Sequence, residues 1–204
     1  PNFLHAHKIM RKVWGGMPQK ADIHTERWNQ VADHVNSNFY HIDMDRYSLE
    51  SVLAKGAELV KRKGIKCLVI DPFNKVRATT ANDSDVNKYT MEYLMQIETF
   101  ARKHDVLVII VAHPTKMYKN DKGVIEVPTM YNIKGGGEWY DASYHGLVVH
   151  RNYLNKTVMV KVLKVKFQNL GENGAEVHFK WNPESGGYIP HEQVSLEGAK
   201  LPWE

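Results

Sequence analysis

The pattern of apolar and polar positions divides the chain into an α/β first part and a β-rich remainder. Residues 3–14 and 23–38 carry apolar side chains at helical spacing, with Gly15, Gly16 and Pro18 breaking between them. Residues 39–42 read as a short strand. Ser48 then predicts the N-cap of a helix running to Lys63, with Glu50 and Ser51 in its first turn and Gly64 at its end. Residues 65–70 predict a strand that is apolar on both faces after Lys66, as burial within a parallel sheet requires. Residues 87–103 predict a long helix with apolar positions at Met91, Leu94, Met95, Ile97 and Ala101, and residues 106–112 a second fully apolar strand. Residues 146–150, 157–165, 176–181 and 187–190 alternate and are joined by turns containing Gly and Asn, which predicts antiparallel strands and hairpins. Strand–helix–strand order followed by hairpins predicts an α/β domain whose mixed sheet is extended by an antiparallel edge.

Composition narrows the class without naming a function. With 204 residues, 43% hydrophobic and 25% charged, the chain fits one globular domain with a sizeable core. No apolar run approaches the roughly 18 residues of a membrane span. The start at Pro1-Asn2-Phe3 lacks both an initiator Met and the basic-then-apolar pattern of a signal peptide, so a fragment or trimmed chain is expected. A single cysteine, Cys67, excludes an intrachain disulfide and fits a reducing compartment. The net charge of +4 permits a polyanionic partner without establishing one. The 11 histidines show no metal-binding spacing, since neither HExxH nor CxxC occurs.

Four places carry candidate chemistry. Asp71 directly follows the first apolar strand, where an acidic residue either caps the turn with Pro72 or holds Mg²⁺ through water. His113, before Pro114, ends the second apolar strand and would face the same crevice, or be a surface histidine. Lys134, Gly135, Gly136 and Gly137 form a glycine-rich turn entering a short helix through Asp141; it is either a flexible loop or a close approach to a phosphate backbone, with Lys134 adding charge. Lys164 and Lys166 are two apart on a strand and share one face, either as a solvated stripe or aimed together at a phosphate.

Taken in order, these segments resemble one family. Cys67-Leu68-Val69-Ile70-Asp71-Pro72 looks like the Walker B strand of RecA-like motors, and Ile109-Ile110-Val111-Ala112-His113-Pro114 like the sensor strand that follows it in phage primase-helicases and Twinkle. The run from Ile133 through the three glycines to Trp139, with Val148, Val149, His150 and Arg151, resembles the DNA-binding loop and next strand of DnaB-type ring helicases. Leu163 to Phe167, Gly171, Gly174 and the stretch from Trp181 to Tyr188 resemble the closing hairpins of that family. The similarity covers roughly residues 39–190.

The resemblance implies a RecA-like three-layer α/β domain, with a mixed, mainly parallel sheet, helices on both faces and C-terminal antiparallel hairpins. Residues 1–204 would be part of that motor domain, in an ATP-dependent, ring-forming DNA helicase of DNA replication. Cofactors would be ATP (or another NTP) and Mg²⁺. Partners would be single-stranded DNA, further copies of itself in a hexameric ring, and primase and other replisome proteins, with no membrane. A cytoplasmic setting, in a bacterial or phage-infected cell, follows. Asp71 would organise Mg²⁺ and the attacking water, and His113 would sense the γ-phosphate. Lys164 and Lys166 would reach the nucleotide of the adjacent subunit, Lys166 where an arginine finger is usual. Arg151 and Trp181 would flank the adenine. Lys134 to Gly137, with Lys75 and Arg77, would face DNA in the central channel through salt-dependent backbone contacts.

Three departures qualify this. The pattern GxxxxGK[ST] occurs nowhere in the chain, and the family's catalytic glutamate is expected upstream of Pro1. Lysine at 166 brings charge without a planar fork. Hydrolysis of ATP by the chain alone is therefore not expected. Two other readings stand beside the helicase: a RecA-like single-stranded DNA-binding or recombination ATPase without unwinding, and a non-catalytic scaffold subunit.

Overall fold

Two serines start the helix over Leu49–Lys63. In the computed structural model, which describes residues 25–78, 85–118, 125–153, 155–183 and 187–191, Ser48 and Ser51 form a reciprocal capping box. The Ser51 amide donates to Ser48 Oγ at 3.1 Å and the Ser48 amide to Ser51 Oγ at 3.2 Å. Gly64 closes the helix in the left-handed conformation (φ 66°). The helices are α1 (Glu26–Asn38), α2 (Leu49–Lys63), α3 (Val86–His104) and α4 (Gly136–Ala142). The strands are β1 (Cys67–Ile70), β2 (Leu107–Ile110), β3 (His145–Asn152), β4 (Thr157–Val165), β5 (Glu176–Asn182) and β6 (Gly187–Pro190). Short 3-10 turns occupy Phe73–Lys75, Met130–Asn132 and Gln168–Leu170. The helix expected over residues 3–14 lies outside the described residues.

Residues 44–148 and 161–175 make one compact unit, and the other described residues make a second. In the first, β1 and β2 pair in parallel with Ile70 opposite Ile110. Leu49 and Val52 of α2, Ile70 of β1, and Tyr93, Leu94 and Ile97 of α3 build its core with Trp139 of α4. A glycine inside α2 is costly for the helix, by about 1 kcal/mol relative to alanine, and packing explains its presence. A Cβ on Gly56 would lie 3.1 Å from the Phe100 ring and 3.3 Å from a Leu68 methyl, so Gly56 is where α2 closes on α3 and β1. In the second unit, α1 begins at Thr25, whose side chain accepts from the Trp28 amide, and buries Val31 and Val35.

The remaining strands form a sheet ordered β3-β4-β5-β6, with β5 and β6 antiparallel and Trp181 opposite Tyr188. This is the α/β architecture with hairpins that the sequence predicts. Two details differ. Residues 39–42 form no strand, although Phe39 has extended backbone (φ −122°, ψ 119°) and an exposed ring, because extended geometry alone does not make a ladder. The strands β1 and β2 are also buried on one face only. Leu68 and Ile70 face the core, whereas Cys67, Val69, Leu107 and Ile109 are exposed. Apolar side chains on both faces permit double burial but do not supply the second layer. No helix among the described residues is long and apolar enough to cross a membrane.

Candidate functional site

The parallel pair carries Asp71 and His113 out of the sheet at the same end. Beyond the last paired residues, the Val111 amide donates to the Ile70 carbonyl at 2.9 Å and the Phe73 amide to the Val111 carbonyl at 2.9 Å. Asp71 and His113 therefore follow the same ends of adjacent strands, His113 two residues beyond the position opposite Asp71, and both are exposed. The peptide between Asp71 and Pro72 is cis. Among the described residues no side chain bonds the Asp71 carboxylate, so its oxygens are open to solvent.

Each strand end is tied to the segment holding the glycine-rich turn. After Asp71, the ring of Phe73 meets Trp139 of α4 edge-on, with centroids 4.9 Å apart at 81°. Phe73 also meets Tyr93 of α3 at 5.4 Å and 82°, so one ring bridges α3 and α4. After His113, the Thr115 amide and hydroxyl both donate to the Asn132 carbonyl, at 2.7 and 2.9 Å. Thr129 caps the 3-10 turn there, and its hydroxyl and amide meet Asn132 Oδ1 at 3.1 and 2.7 Å.

The turn itself is shaped by contact. Gly135 has φ +79°, and a Cβ there would fall 2.4 Å from Thr90 Oγ1 of α3. A Cβ on Gly136 would fall 2.4 Å from the Tyr131 carbonyl oxygen, whereas one on Gly137 meets nothing within 4 Å. The Trp139 indole N–H donates to the Lys134 carbonyl at 3.1 Å, which closes the turn over the start of α4 while the Lys134 side chain stays exposed. Gly135 and Gly136 are thus explained by packing, and only Gly137 is spare.

Lys164 grips the other end of α4. Its ammonium donates to the Tyr140 carbonyl and, at 3.3 Å, to the Asp141 carbonyl, and lies 4.7 Å from the Tyr140 ring centroid. A cation there meets the negative end of the helix dipole. Desolvation lowers its pKa from the ordinary value, Asp141 opposes the shift, and nearby Lys166 adds to it. Lys166 lies just past β4, with its ammonium 4.0 Å from the Tyr144 ring centroid. The two lysines are near one another, each over its own tyrosine.

Lys75 and Arg77 are placed differently. Lys75 ends the 3-10 turn that Phe73 begins and is exposed. Arg77 is held at the start of α2, its carbonyl accepting from the Leu49 amide at 2.8 Å. In the second unit, Arg151 and Trp181 converge on Tyr188. The Arg151 guanidinium donates to the Tyr188 hydroxyl at 3.3 Å, and Trp181 meets the Tyr188 ring edge-on at 5.1 Å. That hydrogen bond is the largest of the influences raising the Arg151 pKa. The side chains that sequence reasoning did not single out are tyrosines: Tyr140 and Tyr144 beneath the lysines, and Tyr188 between Arg151 and Trp181. Their signal was the helical spacing of Tyr140 and Tyr144 across the end of α4, and a Tyr closing the Trp181 hairpin.

No family model matches the chain. It is 30% identical over 201 residues to the Twinkle homolog protein, chloroplastic/mitochondrial, of Arabidopsis thaliana, which covers 90% of this chain. Two solved structures share the fold. One, an ATPase domain, superposes with a TM-score of 0.63 at 18% identity, over 85% of this chain and 63% of that one. The other, a DnaB-like replicative helicase, superposes at 0.66 and 17%, over 94% and 47%. The chain is thus similar in sequence to Twinkle and shares its fold with a DnaB-like replicative helicase.

The domain's fold is RecA-like, as expected from its sequence. The chain spans 28% of the length of the curated relative it matches. Within the domain, the fit to cofactors is uneven. Asp71, with an open carboxylate at a strand end, suits a divalent cation held through water. Among the described residues no three His, Cys, Asp or Glu side chains gather into a direct metal site. No GxxxxGK[ST] cradle exists in the 204 residues, so they do not by themselves fit the phosphates of ATP.

Proposed function

We propose that this chain is the later part of the motor of an ATP-driven, ring-forming replicative DNA helicase, acting on single-stranded DNA. The observation that carries the reading is the double tie from the strand ends to the glycine turn, Phe73 onto Trp139 and Thr115 onto Asn132. A change at Asp71 or His113 has a packed route to the turn that would face DNA. In this reading Asp71 organises Mg²⁺ and water, and His113 senses the γ-phosphate. Lys134 to Gly137, with Lys75 and Arg77, contact the DNA backbone. Lys164 and Lys166 serve the nucleotide of an adjacent subunit in a hexamer, and Arg151 and Trp181 take the adenine. The phosphate cradle comes from outside these residues, and this chain alone does not hydrolyse ATP. Primase is a further proposed partner, and the cytoplasm the proposed compartment.

The test is DNA-stimulated ATP hydrolysis and strand displacement by the complete protein. Asp71→Ala is expected to abolish both, and unchanged hydrolysis would overturn the assignment. A non-catalytic ring subunit is the second reading, favoured by the intramolecular engagement of both lysines. Hydrolysis by the complete protein eliminates it, and hydrolysis without strand displacement favours the recombination-type ATPase instead.

A further inference from the structure

The turn that precedes the three glycines presents one aromatic ring to solvent on a rigid mount. Met130 is buried, and Asn132 is fixed by Thr129 on one side and Thr115 on the other. Between them Tyr131 is 63% exposed. Its ring is stacked on Tyr140 of α4, with centroids 5.3 Å apart and planes at 20°. Gly136 lies against the Tyr131 carbonyl so closely that no larger residue fits, which holds the ring beside the glycine turn. Lys134, three residues on, is exposed. Tyr140 in turn sits under the Lys164 ammonium.

We propose that Tyr131 is a base-stacking platform for single-stranded DNA. The inference rests on the reading of the glycine turn as DNA-facing and deepens it: the strand would be held by a base as well as by its phosphates. A ring stacked on a second ring and mounted on a pinned turn loses little freedom when it takes a ligand. Every base has a π-face, so such a contact tolerates any sequence, as a translocating motor requires. Lys134 supplies the phosphate contact alongside.

The test measures binding of the complete protein to fluorescein-labelled oligo(dT) and to an abasic strand of the same phosphate count. Tyr131→Leu keeps an apolar side chain against Tyr140 but removes the ring; Tyr131→Phe keeps the ring. Tyr131→Leu is expected to weaken oligo(dT) binding about 5- to 100-fold while leaving abasic binding unchanged, and Tyr131→Phe to bind both like wild type. Lys134→Ala is expected to weaken both strands alike. If Tyr131→Leu weakens neither strand, or both equally, stacking is overturned while the DNA-facing reading stands. A wild-type protein that binds neither strand overturns the DNA-facing reading itself, and stacking with it. Tyr131→Gln, a second ring-less variant, must repeat the Leu result, and matching thermal melts of all variants establish that the fold is intact.

Discussion

Phe73 meets Trp139 edge-to-face across 4.9 Å, and this one contact joins the strand end bearing Asp71 to the helix that begins at the glycine turn. Trp139 also bonds the Lys134 carbonyl through its indole N–H, so a single buried side chain holds both the turn and its link to the sheet. Trp139→Ala is expected to cost about 3–5 kcal/mol, the range for truncating a buried aromatic. In a double-mutant cycle with Phe73→Leu, the pair should show coupling of about 0.5–1.5 kcal/mol. Urea denaturation of the four proteins measures both, and additive losses would show that the rings do not act as a pair.

The three glycines separate by role. Gly135→Ala must take a left-handed backbone and push on Thr90, so a loss of about 1–3 kcal/mol is expected. Gly137→Ala meets open space within a helix and should leave stability unchanged or raise it by up to about 1 kcal/mol. Thermal melting distinguishes them. Loss of DNA affinity in Gly137→Ala without loss of stability would mark that glycine as kept for close approach to the strand.

Tyr93 is fully buried, and among the described residues its hydroxyl has no hydrogen-bond partner. An unmet buried hydroxyl costs about 1–3 kcal/mol, so Tyr93→Phe is expected to be neutral or stabilising. Burial, with a smaller contribution from Tyr89, raises the phenol's pKa well above its ordinary value. The folded state therefore resists ionisation that the unfolded state permits. Stability from this group is complete below about pH 10 and falls as the pH rises through that value. Urea midpoints between neutral pH and about pH 11 should drop further for wild type than for Tyr93→Phe, and parallel curves would contradict the assignment.

The two lysines predict different losses. Lys166 rests on an exposed ring contact of the kind worth about 0.5–1 kcal/mol, so Lys166→Met should barely shift melting. If it fills the finger position, the same change lowers ATP turnover of the complete protein by at least about a thousandfold. Lys164→Met removes the charge from the C-terminal carbonyls of α4 and should cost about 1–2 kcal/mol. Calorimetry beside an ATPase assay reads both, and a large melting shift for Lys166→Met would assign it a structural role instead.

What the sequence determined by itself is what local chemistry controls. The bounds of α2 follow from Ser48, Ser51 and Gly64, because caps act on amides and carbonyls within one turn. The ends of β4 and β6 coincide with their turn residues for the same reason. The order of Asp71, His113, the glycine turn and the lysines was legible because strand-end positions are written in the chain. Tertiary structure alone decided the rest. It left one face of β1 and β2 open and gave residues 39–42 no place in a strand, because burial and strand formation depend on what lies opposite as well as on the residues themselves. It also set Lys164 over Tyr140, Phe73 against Trp139 and Tyr131 at the surface, since side chains far apart in the chain meet only when the fold closes the segment between them.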